Sequence, residues 1–158
     1  MNEEGIREYF QKNFNARGIS PERLEFVGPK SDRAEHFRSY GEADIALDPF
    51  PYHGTTTTCE ALWMGVPVVT MAGATHVSRV GVSLLTNVGL LEMVARSEEE
   101  YVSIAAGLAN DLPRLAEIRR GLRDRMKSSP LMDGRQFARD VEGAYRDAWR
   151  SWCAGASK

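Results

Sequence analysis

Ile6, Tyr9, Phe10 and Phe14 recur at the three- and four-residue spacing of one helix face, which predicts a helix over about 3–16 closed by Gly18. Leu24-Glu25-Phe26-Val27 reads as a short strand ending at Gly28-Pro29, after which Ser31 or Asp32 caps a helix to about Tyr40. Asp44 to Leu47 predicts the next strand, a loop rich in Pro and Gly follows from Asp48 to Gly54, and a helix begins near Thr56 and runs to Met64. The almost continuous apolar run from Val66 to Met71 is expected of a parallel strand covered on both faces. Ser78 then caps a helix to about Thr86 that Gly89 stops, and Leu90 to Val94 forms one more short strand. Three helices, near 98–110, 112–128 and 134–152, complete the chain. Strands alternating with single helices specify an α/β domain with a parallel, Rossmann-like sheet, whose ligands bind outside the carboxyl ends of the strands. Such units normally open on a buried strand, whereas this chain opens on a helix, so at least one strand is expected upstream.

With 158 residues, 42% of them hydrophobic and 27% charged, the chain has the balance of a single domain able to bury a core. The sequence divides into an α/β nucleotide-binding part, 1–96, and C-terminal helices, 97–158. Lys plus Arg is 20 against 22 Asp plus Glu, a net charge of −2, so no positive field gathers nucleic acid or anionic lipid. No apolar run approaches the roughly 20 residues that span a bilayer. The acidic start, Met1-Asn2-Glu3-Glu4-Gly5, lacks the features of a secretory signal, and Cys59 and Cys153 read as reduced thiols without metal-ligand spacing. A cytoplasmic protein is expected.

The candidate chemistry lies between Asp48 and Pro67, where a strand end passes into a helix start. Gly54 lets backbone approach a ligand closely, and Thr55, Thr56, Thr57 and Thr58 offer N–H groups and hydroxyls where a helix has unsatisfied donors and about half a positive charge. This suits phosphate. No Lys follows a glycine frame, so it is not a Walker loop. Glu60 lies about one turn inside the helix, on the face of Thr56 and Thr57 and roughly 5 to 6 Å along the axis from the phosphate donors, near the span from a diphosphate to its ribose diol. From the residues alone a second reading stands beside this one: a threonine N-cap with Glu60 as a solvated helix charge.

The block Gly-Thr-Thr-Thr-Thr-Cys-Glu-Ala-Leu-Trp-Met-Gly-Val-Pro-Val-Val-Thr at 54–70 occurs with Arg79, Ser83-Leu84-Leu85, Gly89-Leu90, Glu100-Tyr101, Ser129-Pro130-Leu131 and a closing helix that carries Phe137, Tyr145 and Trp149. This combination covers nearly the whole chain. It resembles the C-terminal catalytic lobe of the O-linked N-acetylglucosamine transferases and the related SPINDLY proteins, of bacterial type. The resemblance implies the Rossmann-like C-terminal lobe of a two-lobed GT-B glycosyltransferase. It implies inverting, metal-independent transfer of N-acetylglucosamine from the donor UDP-GlcNAc to Ser or Thr of an acceptor protein. By position, Thr55, Thr56 and Thr57 would meet the UDP diphosphate behind Gly54, Glu60 would take the ribose hydroxyls, His36 would pack on uracil, and Arg33 would stand near the ribose. For His36 the residues alone indicate only a helix-surface histidine. No catalytic base is identified.

Two departures set this chain apart from animal members of that family, which carry histidine at Thr55 and Asp at Glu60. The first leaves one fewer cationic contact to the leaving group. The resemblance also implies partners outside the chain: an N-terminal lobe with the acceptor side, a lysine upstream of Met1 that meets the diphosphate, and tetratricopeptide repeats. Residues 1–158 alone are therefore expected to be inactive. Two alternatives come with the resemblance: a SPINDLY-type O-fucosyltransferase using a GDP-sugar, and a noncatalytic nucleotide-sugar sensor or interaction module. His53 and His76 receive no role, His53 being expected to face solvent, and Arg79 is expected to stabilise the lobe. Arg119, Arg120, Arg123 and Arg125 read as a solvated face beside the apolar stripe Leu115, Ile118, Leu122 and Met126. Phe137, Val141, Tyr145, Trp149 and Trp152 form a second stripe, heavier than this lobe can cover, which suggests a homo-oligomer of the isolated chain.

Overall fold

The computed structural model describes residues 3–155, which fall in two compact units, Met1–His36 and Phe37–Lys158. In the first, helix α1 (Glu3–Asn15) ends in a turn that Gly18 closes at φ +79°, and a short 3-10 turn follows at Pro21–Arg23. Phe26 stands 6.5 Å from the Phe10 ring with the Arg7 guanidinium 5.8 Å over it. Leu24 to Val27 is not a strand: Leu24 is extended, at φ −108° and ψ 116°, yet the segment joins no ladder. Its alternating residues have β propensity, but propensity without a hydrogen-bonded neighbour forms no strand. Helix α2 (Arg33–Ser39) begins where expected, because the Asp32 carboxylate accepts the Ala34 and Glu35 N–H groups at 3.2 Å each.

The second unit is built on a three-stranded parallel sheet in the order β1 (Ala46–Leu47), β2 (Val68–Met71), β3 (Val94–Ala95). Ala46 pairs with Val68, Leu47 with Val69, Thr70 with Val94 and Met71 with Ala95. Helix α3 (Thr56–Trp63) connects β1 to β2, and α4 (Val80–Asn87) connects β2 to β3. The third strand is shorter and later than its apolar run suggests, because Leu91–Met93 turns as a 3-10 helix and Met93 is buried in the core. Ser78 does not cap α4. It closes a preceding 3-10 turn, His76–Ser78, where its Oγ accepts the Thr75 N–H at 3.2 Å.

Helix α5 (Glu98–Asn110) is capped by Ser97, which accepts the Glu100 N–H, and α6 (Leu112–Ser128) by Asp111, which accepts the Arg114 N–H. The α6 stripe Leu115, Ile118, Leu122 and Met126 is buried with Leu62, Val66, Val68, Leu85, Leu90 and Met93 in one core. The α6 arginines are not simply solvated. Arg119 donates to the Ala43 and Asp44 carbonyls at 2.7 and 2.8 Å, Arg123 to the Trp63 carbonyl at the end of α3 at 2.9 Å, and Arg125 to the Gly89 carbonyl after α4 at 3.0 Å. They satisfy the carbonyls that helix ends and turns leave over.

Helix α7 (Gly134–Cys153) has no buried residue, and Phe137, Tyr145, Trp149 and Trp152 are 64–74% exposed. Thus α6 turns its stripe to the sheet and does not cover that of α7. No helix among the described residues is long and apolar enough to cross a membrane.

Candidate functional site

The carboxyl ends of β1 and β2 open onto the loop 48–54 and the start of α3. The first hydrogen bond of the α3 ladder runs from Cys59 N–H to the Thr55 carbonyl at 3.1 Å, so the amides of Thr56, Thr57 and Thr58 precede it. Thr55, Thr56 and Thr57 are exposed, while Thr58 is buried and donates its hydroxyl back to the Gly54 carbonyl at 3.1 Å. The run of four threonines thus divides between three outward residues and one that braces the turn. Gly54 is required by space. A Cβ there would lie 2.6 Å from Thr57 Oγ1 and 2.8 Å from Thr58 Oγ1. The turn presents the leading N–H donors and threonine hydroxyls at the positive end of a helix dipole, an arrangement that suits an anion.

Glu60 is half-buried on α3, and its Oε2 accepts the Tyr40 hydroxyl at 3.0 Å. Burial first, then the hydrogen bond to Glu60 and its negative charge, push the Tyr40 phenol up to about 12. Burial, and secondarily Glu60, also raise the Cys59 thiol, which makes it a poor nucleophile. A raised acid pKa stabilises the fold below the unfolded value and loses that contribution as pH rises through the folded one, so the Tyr40 window runs from about 10 to about 12. Subtracting the Tyr40→Phe phenolate titration from that of the unaltered chain should give a midpoint near 12, and Glu60→Gln should bring it toward 10. An unmoved midpoint in Glu60→Gln would separate the two groups.

Behind the loop lies a buried polar network that sequence reasoning missed. Asp48 is 4% exposed; its Oδ1 accepts the Gly54 N–H and its Oδ2 the Thr70 hydroxyl, both at 2.8 Å. His53, expected to face solvent, is 2% exposed. Its Nδ1 accepts the Gly81 N–H at 3.0 Å, leaving Nε2–H to donate to the Met71 carbonyl at 3.0 Å. This defines a neutral Nε2–H tautomer, so the 3.5 Å approach of Nδ1 to Asp48 Oδ2 is not an ion pair. Tyr101 donates to the Asp48 carbonyl at 2.9 Å, and burial, with the Asp48 charge second, raises its phenol. The signal in the chain for Asp48 is an acid at a strand's carboxyl end six residues before a glycine. For His53 no local pattern distinguishes it.

Of the residues singled out from sequence, Gly54, Thr55, Thr56, Thr57 and Glu60 share one turn and the first turns of α3. Arg33 and His36 lie three residues apart on α2, in the unit Met1–His36. His76 and Arg79, left without a ligand role, line a cleft of about 570 Å³ that Thr55 also lines. Among the described residues no group of three or more His, Cys, Asp or Glu is placed to hold a metal ion.

The profile described as Glycosyl transferase family 41 matches residues 3–141. A probable UDP-N-acetylglucosamine–peptide N-acetylglucosaminyltransferase SPINDLY from Oryza sativa subsp. japonica is 49% identical over 152 residues, 96% of this chain and 16% of that protein. A UDP-N-acetylglucosamine–peptide N-acetylglucosaminyltransferase from Caenorhabditis elegans is 37% identical over 97% of this chain and 13% of its own length. The solved structure of a mutant Thermobaculum terrenum O-GlcNAc transferase superposes with a TM-score of 0.87 at 43% identity, over 96% of this chain and 29% of that one. The chain therefore spans about a sixth of the curated SPINDLY relatives.

Proposed function

Since the chain belongs to glycosyl transferase family 41 and has the Rossmann-like fold of a GT-B glycosyltransferase lobe, we propose that it is the donor-binding part of a protein O-GlcNAc transferase, binding UDP-GlcNAc for transfer to protein Ser or Thr. The observation that carries this reading is the turn Gly54–Thr58. Three exposed threonines stand beside the leading amides of α3, and Gly54 leaves room for the Thr57 and Thr58 hydroxyls against the turn. Thr55, Thr56 and Thr57 hold the diphosphate, and Glu60, oriented by Tyr40, takes the ribose hydroxyls. Arg33 and His36 serve the nucleoside. Binding needs no metal ion. The acceptor-positioning residues lie outside 1–158, so the chain by itself turns over no donor.

Two-dimensional NMR of the chain during titration with UDP tests the reading. The amides of Thr55 to Glu60 should shift, with affinity unchanged by a chelator, and 2′-deoxy-UDP should bind about tenfold more weakly, the loss of one hydrogen bond to a charged group. Glu60→Gln should erase that difference. Shifts confined to other surfaces, or equal discrimination by both proteins, would refute the assignment. GDP in place of UDP decides between this donor and the GDP-sugar of an O-fucosyltransferase.

A further inference from the structure

The end of α3 offers a bound anion about half an elementary unit of positive charge, and Thr55 adds none. Beside the turn is a cleft of about 570 Å³ lined by Thr55, His76, Arg79, Val80 and Ser83, and no carboxylate lines it. Its far wall is tied to the threonine turn by the backbone. The His53 N–H donates to the Val77 carbonyl at 3.0 Å, and the Gly81 N–H donates to His53 Nδ1 at the same distance. Thr55 follows His53 by two positions and Arg79 follows Val77 by two, so the bond holds the two ends near each other. The 75–78 turn is itself braced, Ser78 Oγ donating to the Thr75 carbonyl at 3.0 Å and Gly73 N–H to the Ser78 carbonyl at 2.9 Å. Arg79 is exposed and donates through Nη1 to the Gly73 carbonyl at 3.2 Å, which uses one of the five donors of a guanidinium.

From this geometry we propose that Arg79, with His76 beside it, is a second cationic contact for the β-phosphate of a nucleoside diphosphate seated at Thr55. The inference rests on the donor-site reading above and adds a residue from a different element. It adds a cation from the turn before α4 to the lysine that the family resemblance implies upstream, and gives a reason for an acid-free wall next to the threonine turn. Buried His53 becomes the joint that positions this cation, being bonded to both the 75–78 turn and α4.

Calorimetric titration of the chain with UDP and with UMP, which lacks the β-phosphate, provides the test. Arg79→Ala should weaken UDP binding about tenfold or more, the scale of one charge-assisted hydrogen bond, and leave UMP within about twofold. Arg79→Lys, which keeps the charge, should recover most of the loss. His76→Ala should cost about threefold toward UDP alone. Thr56→Ala with Thr57→Ala runs alongside. If that double variant loses UDP while Arg79→Ala binds it normally, the Arg79 assignment is wrong and the donor site stands. Equal weakening of UDP and UMP by Arg79→Ala also overturns it, since that reports a disturbed turn. If unaltered chain fails to bind UDP, or both variants bind it undiminished, the donor reading falls as well.

Discussion

Replacing Thr56 and Thr57 together by alanine is expected to lower affinity for UDP about a hundredfold. Each hydroxyl offered to a charged phosphate oxygen contributes about 1.5 kcal/mol, and two such losses multiply in the binding constant. The fold should not follow, because both side chains are exposed, Thr58 still closes the turn onto the Gly54 carbonyl, and alanine is the better helix former. Calorimetry beside thermal melting checks both halves. Full affinity in the double variant would remove the turn from the site, and a melting temperature that falls in step with affinity would make the threonines structural.

The largest effect on stability is expected at a glycine that touches no ligand. A Cβ on Gly81 would collide with Thr70 Oγ1 and lie 2.5 Å from Asp48 Oδ2, both fully enclosed. Overpacking costs about 1–3 kcal/mol and loss of a hydrogen bond to a buried carboxylate about as much again, against about 1 kcal/mol regained from helix propensity. Gly81→Ala should therefore destabilise the domain by about 3 kcal/mol, or about 10 °C in melting temperature for a chain of this length. Gly143→Ala is the matched control, since a Cβ there meets nothing within 4 Å and should leave stability equal or slightly higher. A Gly81→Ala protein that melts with the unaltered chain would show that the Asp48–Thr70 pair yields without cost. Because Asp48 also orients the Gly54 N–H, UDP affinity should fall with stability in this variant alone.

The two predictions separate what is local from what is not. The threonine turn was legible because its parts are neighbours in sequence: a glycine, four hydroxyl residues and a carboxylate one turn on read directly as the start of a helix. The β1–α3–β2–α4 order was legible for a similar reason, since apolar runs of parallel strands and helix stops such as Gly89 are short-range signals. Partners 28 residues apart, as with His53 and Gly81, leave no such trace. Nor do the 60 residues between Arg123 and the Trp63 carbonyl, so a row of arginines that braces helix ends looked like a solvated face. Leu24 to Val27 failed for the complementary reason, its pattern being sound and its ladder partner missing.

Helix α7 bears on how the unfolding of this protein reads out. Its twenty residues bury no side chain, and its ion pairs, such as Arg146 to Glu142 at 2.8 Å, are exposed. Most helical stability in proteins comes from tertiary packing, which α7 lacks, so α7 opens with a free energy of its own, well below that of the core. Two of the three tryptophans, Trp149 and Trp152, stack on this helix with ring centroids 5.3 Å apart, while Trp63 sits half-buried at the end of α3 under the Arg123 guanidinium. Because Trp149 and Trp152 are 64% and 73% exposed already, the change in intrinsic fluorescence on unfolding follows chiefly Trp63 and the core, and a two-state analysis of it passes over the separate opening of α7.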